Sequence, residues 1–114
     1  MKLFGIKTCD TCRKALKALE NAGRPVSFMD LRSGDFTGED LDRWLSVLGW
    51  EALLNRRSTS WRALDDTEKQ DLDGGKARAL MLASPTLIKR PVIETADTII
   101  VGFGKAQQDA LLKS

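Results

Sequence analysis

Apolar and polar positions follow two different periods along this chain, and each change of period marks a new element. Lys2 to Ile6 is a short apolar run (Leu3, Phe4, Ile6) that predicts a buried strand. From Asp10 the period lengthens. Cys12, Ala15, Leu16, Leu19 and Ala22 recur at steps of three and four, with Arg13, Lys14, Lys17 and Glu20 opposite, which predicts an amphipathic helix. Gly23 ends that helix and Pro25 blocks its continuation. Val26 to Leu31 predicts a second strand, cut off by Ser33-Gly34. Strand, helix and strand over about 30 residues make a βαβ unit, expected to be parallel and right-handed.

Helical spacing then dominates. Thr37-Gly38-Glu39-Asp40 has the spacing of a capping box, followed by a stripe of Leu41, Trp44, Leu45 and Leu48 that stops at Gly49. Trp50 to Asn55 predicts a short helical piece and residues 56–60 a loop, with Trp61 and Leu64 folding back onto the core. The spacing of Trp44, Trp50 and Trp61 reads as core. Asp66-Thr67 can cap one more short helix, and Lys76 to Ala83 forms another, stopped by Ser84-Pro85. Strands return at Pro91–Glu94 and Thr98–Val101 across the tight link of residues 95–97. Gly102-Phe103-Gly104 breaks that pattern, and a helix over Lys105–Leu112 follows. The order βαβ, helical insert, ββα predicts an α/β, thioredoxin-like fold with a four-stranded mixed sheet, as a single domain over residues 1–114.

Composition narrows the function classes. A formal charge of +2 is small for a protein held on nucleic acid by electrostatics, so no direct nucleic-acid partner is expected. No apolar run approaches the roughly 20 residues of a membrane span, and the first apolar stretch is too short for a signal peptide. The expectation is a cytoplasmic protein with no membrane partner. With no histidine, imidazole acid–base chemistry is excluded. Two cysteines fall short of a closed zinc site, so no metal and no bound cofactor are expected.

The two cysteines carry the chemistry. Cys9-Asp10-Thr11-Cys12 stands where the first strand hands over to the first helix. The first helical turn offers unpaired N–H groups and the positive end of the helix dipole, both of which favour an anion. A thiolate at Cys9 would be that anion, with Lys7 and Arg13 nearby in sequence. Cys12 lies one turn on, on the apolar stripe, and serves either as a second thiol that closes a disulfide or as a small buried hydrophobe. A CxxC opening the helix of a βαβ unit points to redox function. Among the basic residues Arg90 stands out, since it precedes Pro91 at the entry to a strand, and a cis Pro91 would lie beside the Cys9 sulfur.

Three separated motifs resemble the arsenate-reductase (ArsC) family: Phe4-Gly5-Ile6-Lys7-Thr8-Cys9-Asp10-Thr11-Cys12-Arg13-Lys14-Ala15, Trp50-Glu51-Ala52-Leu53-Leu54-Asn55-Arg56-Arg57, and Leu87-Ile88-Lys89-Arg90-Pro91. The branch that looks nearest is the YffB and Spx-type one, and the likeness runs over essentially the whole chain. It implies a nucleophilic Cys9, an anion-binding Arg90 and a cis bond before Pro91. Two of the family's oxyanion-binding arginines are replaced, by Asn55 (with Arg56 beside it) and by Phe103, and the histidine before the catalytic cysteine by Gly5. The resemblance therefore implies a thiol-dependent oxidoreductase that binds a small anion over Cys9, through Arg90 with Arg56, Lys7 and Arg13, and turns over arsenate poorly. Its substrate would be an oxyanion or a thiol or disulfide, with glutathione, a glutaredoxin or a thioredoxin as electron donor. The alternative is a Spx-type redox-sensing regulator that uses a Cys9–Cys12 disulfide as a switch on RNA polymerase.

Overall fold

A computed structural model describes residues 1–33 and 35–112. In chain order its elements are β1 (Lys2–Gly5), α1 (Asp10–Asn21), β2 (Ser27–Asp30), α2 (Gly38–Leu48), α3 (Trp50–Leu53), α4 (Thr59–Ala63), α5 (Asp66–Lys69) and α6 (Gly74–Ala83). A 3-10 turn (Pro85–Leu87), β3 (Val92–Glu94), β4 (Ile99–Val101) and α7 (Lys105–Leu112) complete the chain. They gather into two compact units, Met1–Phe36 with Arg90–Ser114, and Thr37–Lys89. The second unit is the expected helical insert.

The first unit is built on a four-stranded mixed sheet in the order β2-β1-β3-β4. The β1–β2 pair is parallel, with Leu3 beside Phe28; β1–β3 and β3–β4 are antiparallel, with Leu3 beside Ile93 and Val92 beside Val101. This is the α/β, thioredoxin-like arrangement expected from the element order. The stripe of α1 (Cys12, Ala15, Leu19) packs with Leu3, Ile93 and Leu111 of α7 into one core. Fully burying each large apolar side chain contributes about 1.5–3 kcal/mol. Gly23, at φ +77°, ends α1 as expected: its N–H donates to Glu20 O, and the Arg24 N–H reaches back to Leu19 O. At the end of β2 the chain turns on Asp30, whose side chain accepts from the Arg32 N–H at 2.8 Å. The stop expected at Gly34 lies outside the described residues.

The helical unit is held by caps. Thr37 and Asp40 form the expected capping box at the head of α2, and Leu41 and Trp44 form its buried stripe up to Gly49, where φ is +83°. Buried Leu53, Leu54, Ala77, Met81, Leu87 and Ile88 supply further apolar bulk. Ser58, Asp65 and Asp73 cap α4, α5 and α6 by accepting from the N–H groups of Trp61, Glu68 and Lys76. These caps correct two expectations. Helix α4 begins at Thr59, inside the expected loop, because Ser58 caps it, and α6 begins at Gly74, two residues before Lys76, because Asp73 caps it. Of the tryptophans only Trp44 is core; Trp50, Trp61 and Leu64 are half-buried. The two half-buried rings flank the Arg56 guanidinium at 5.6 and 5.9 Å, and the Lys69 ammonium lies 5.4 Å from the Trp61 ring.

Candidate active site

The site is assembled where β1 passes into α1. The loop closes on itself when the Cys9 N–H donates to Ile6 O at 3.0 Å, which leaves Cys9 as the N-cap residue of α1 with extended backbone (φ −81°, ψ 121°). The Cys9 carbonyl accepts the first helical bond, from the Arg13 N–H at 3.0 Å. The half-buried Cys9 side chain stands at the head of the helix. Cys12, one turn on, is fully buried in the core of the sheet unit. Both thiols are free.

On the other side of β1 runs β3, entered through Arg90-Pro91. The Arg90–Pro91 bond is cis, as the resemblance implied. Pro91 is buried, and its carbonyl accepts from the Gly102 N–H at 2.8 Å. The half-buried Arg90 guanidinium acts directly on the Cys9 sulfur.

The two thiols are displaced in opposite directions. Partial burial pushes Cys9 up, but the backbone N–H of Cys12, the guanidinium of Arg90 and the thiol of Cys12 together outweigh it and hold Cys9 below the ordinary thiol range. Burial pushes Cys12 up to about 11, against the Ile6 N–H, and the negative charge developing on Cys9 pushes it the same way. The pair is therefore one ionisable sulfur at the surface backed by one protonated sulfur in the core.

Of the residues singled out from the sequence, the structure brings Cys9, Cys12, Arg90 and Pro91 together at one end of the sheet unit. Lys7 is exposed in the loop. Arg13 is exposed and spends its guanidinium on Asp10 at 2.6 Å, so the positive charge at the sulfur comes from Arg90 rather than from the helix's own arginine. Arg56 belongs to the helical unit, held between two indole rings instead of hanging free on a loop. Asn55 uses its side-chain oxygen to accept from the Arg57 N–H at 3.0 Å, and Phe103 packs against the apolar core of the sheet unit.

One residue was missed as part of the site. Gly5 lies in the buried end of β1, and a Cβ built there would stand 2.4 Å from the Cys12 sulfur. The available signal was a glycine inside a strand, which marks close approach of another group. Among the described residues no group of three or more His, Cys, Asp or Glu side chains could hold a metal ion, and no helix is long and apolar enough to cross a membrane.

Comparison with known proteins covers the chain almost end to end. The model of the ArsC family matches residues 4–111. Among solved structures, a YFFB protein is 42% identical with a TM-score of 0.90, covering 97% of each chain. An arsenate reductase (ArsC) related protein of Brucella melitensis is also 42% identical, with a TM-score of 0.77 over 99% of this chain and 94% of that one. An uncharacterized protein of Haemophilus influenzae is 37% identical, covering 95% of each chain. The global transcriptional regulator Spx of Streptococcus pneumoniae is 26% identical over 96% of this chain and 84% of its own.

Proposed function

The chain belongs to the ArsC family, and we propose that it is a thiol-dependent reductase with Cys9 as nucleophile, Cys12 as resolving thiol and glutathione as electron donor. The observation that carries this reading is the placement of Cys9: an N-cap thiol with the Arg90 guanidinium and the Cys12 thiol acting on its sulfur. For a disulfide substrate the Cys9 thiolate attacks one sulfur, the substrate S–S bond breaks, and the departing thiolate takes up a proton. Cys12 then loses its proton and attacks the Cys9 sulfur. The second substrate thiol leaves and a Cys9–Cys12 disulfide remains. Two glutathione thiols reduce that disulfide and end as glutathione disulfide, so two electrons pass from glutathione to substrate. Once Cys9 is capped it carries no charge, and that part of the upward push on Cys12 disappears when Cys12 must ionise. A donor drawn from the glutathione pool, or a glutaredoxin or thioredoxin working with it, fits a cytoplasmic setting.

An anionic group of the substrate would lie over the head of α1 beside Arg90, with Lys7 and Arg13 at the rim and Arg56 as a candidate fourth cation. Arsenate is the weaker substrate in this reading, because Asn55 and Phe103 offer no cation. Two missing charge-assisted hydrogen bonds at about 1.5–3 kcal/mol each slow the reaction by roughly two to four powers of ten. The test is reduction of a small disulfide and of arsenate by glutathione, for wild type, Cys9→Ser and Cys12→Ser. Disulfide turnover that depends on Cys9 is expected, with little arsenate turnover; wild-type rates in Cys9→Ser would end the proposal.

A second reading, a redox-sensing regulator with a Cys9–Cys12 switch that acts on RNA polymerase, is favoured by the CxxC pair and by the likeness to Spx. Stoichiometric capture of polymerase that changes on oxidation, with no disulfide turnover, would select it over the reductase.

A further inference from the structure

Gly5 is not required by its backbone. It sits in regular pairing in β1, beside Asp30 of β2, and its carbonyl accepts from the Leu31 N–H at 2.9 Å. Among the described residues the positive-φ glycines are Gly23, Gly49 and Gly102, so any L-residue could adopt the conformation of Gly5. What a side chain would lack is space. A Cβ at Gly5 would lie 2.4 Å from Cys12 Sγ and 3.1 Å from Cys12 Cβ, closer to that sulfur than real Cβ atoms come. The next atom is Leu3 Cδ2 at 3.5 Å, so no atom of Cys9 comes nearer to that point than this. The volume a methyl group would fill is thus taken up by the Cys12 side chain, above all by its reduced sulfur.

We propose that Gly5 is a positioning residue for the redox pair: its missing side chain is the seat of the reduced Cys12 sulfur, and the seat sets how readily the pair oxidises. This rests on the two-cysteine reading above. Oxidation moves the Cys12 sulfur out of the seat towards a Cys9 sulfur that lies farther from it. In that step the two thiols give up two electrons and two protons to glutathione disulfide. Its S–S bond breaks to give two glutathione thiols, and an S–S bond forms between Cys9 and Cys12. A methyl group at position 5 crowds the dithiol more than the disulfide, so it favours oxidation.

The experiment is equilibration of wild type and Gly5→Ala across glutathione/glutathione-disulfide ratios, with the Cys9–Cys12 disulfide quantified by trapping and mass spectrometry. The Gly5→Ala equilibrium is expected to shift towards the disulfide by about tenfold, equal to about 30 mV for a two-electron couple. A wild-type disulfide with an unshifted Gly5→Ala equilibrium, or a shift towards the dithiol, overturns the seat and leaves the reductase reading standing. No wild-type disulfide at any ratio overturns both. Should reduced Gly5→Ala fail to fold, the seat requires that its disulfide form folds and that Cys12→Ala restores the fold in the double variant. A double variant that stays unfolded shows that position 5 is crowded by something other than this sulfur, and the proposal falls.

Discussion

In the sheet unit a thiol of lowered pKa is held in place by backbone: the Ile6–Cys9 loop bond, the head of α1 and the β3 entry at Arg90-Pro91 surround Cys9. In the helical unit a charged group is held by side chains. The Arg56 guanidinium lies over the rings of Trp50 and Trp61, which stand on helices of four and five residues, the first with no side-chain cap and the second capped by Ser58. Backbone placement tolerates little motion and suits a sulfur whose ionisation depends on a few N–H groups and one guanidinium. Stacking fixes the plane of a guanidinium while leaving its edge open to solvent. Under the proposed reductase function, chemistry falls to the first unit and, at most, charge to the second.

The sharpest way to break that assignment is to remove each group in turn. Cys9→Ser should lose at least about a thousandfold in glutathione-dependent disulfide reduction, whereas Arg56→Ala should lose about threefold or less. Equal losses would place chemistry in both units. Next in size is packing. Trp44 is fully buried in the helical unit, and Trp44→Ala should cost about 3–5 kcal/mol in urea unfolding. A cost below about 1 kcal/mol would mean that the caps, and not a core, hold that unit.

A smaller effect separates the two thiols by pH. Cys9, below the ordinary thiol range, remains ionised as pH falls beneath the value for an unfolded thiol, so its contribution to stability is present above that value and lost as pH drops through its own. Cys12, raised to about 11, has the opposite sign: its contribution is present below the unfolded value and lost as pH rises through about 11. Alkylation at pH 7 should therefore label Cys9 alone, by peptide mapping. Arg90→Ala should move the Cys9 rate profile to higher pH, slowing labelling roughly three- to tenfold at pH 6. An unmoved profile would return the role to Lys7 or to the helix N–H groups alone. The smallest effect tests the caps: Ser58→Ala should cost about 1 kcal/mol by thermal or urea melts.

Legibility followed the same division. Helix α1 and the strands could be read because one residue set satisfies both local period and core: Leu3, Leu19 and Ile93 are spaced for their elements and buried together. Positions were legible where sequence neighbours decide them: Cys9 at the head of α1, Cys12 on its apolar stripe and the Arg90–Pro91 step at the entry to β3. Adjacency in sequence misled at Arg13, whose i−3 partner Asp10 takes its guanidinium. The tryptophans misled because a large ring at helical spacing suits a core and a cation stack equally well. At Gly5 the glycine inside a strand signalled a close approach, but only the return of α1 over β1 shows that the approaching atom is the Cys12 sulfur.

The route of the chain through the sheet carries a consequence for how the protein is made. The central strand β1 pairs on one side with β2, near in sequence, and on the other with β3, where Leu3 meets Ile93 across the whole helical segment. A ribosome releases the chain from its N-terminus at about 5–20 residues per second. Every residue of Thr37–Lys89 therefore emerges before β3 exists, while β1 waits with one edge unpaired. Closing so long a loop slows folding more than it lowers final stability. Until Arg90 arrives, the nascent chain presents Cys9 without the guanidinium that helps to hold its thiol below the ordinary range.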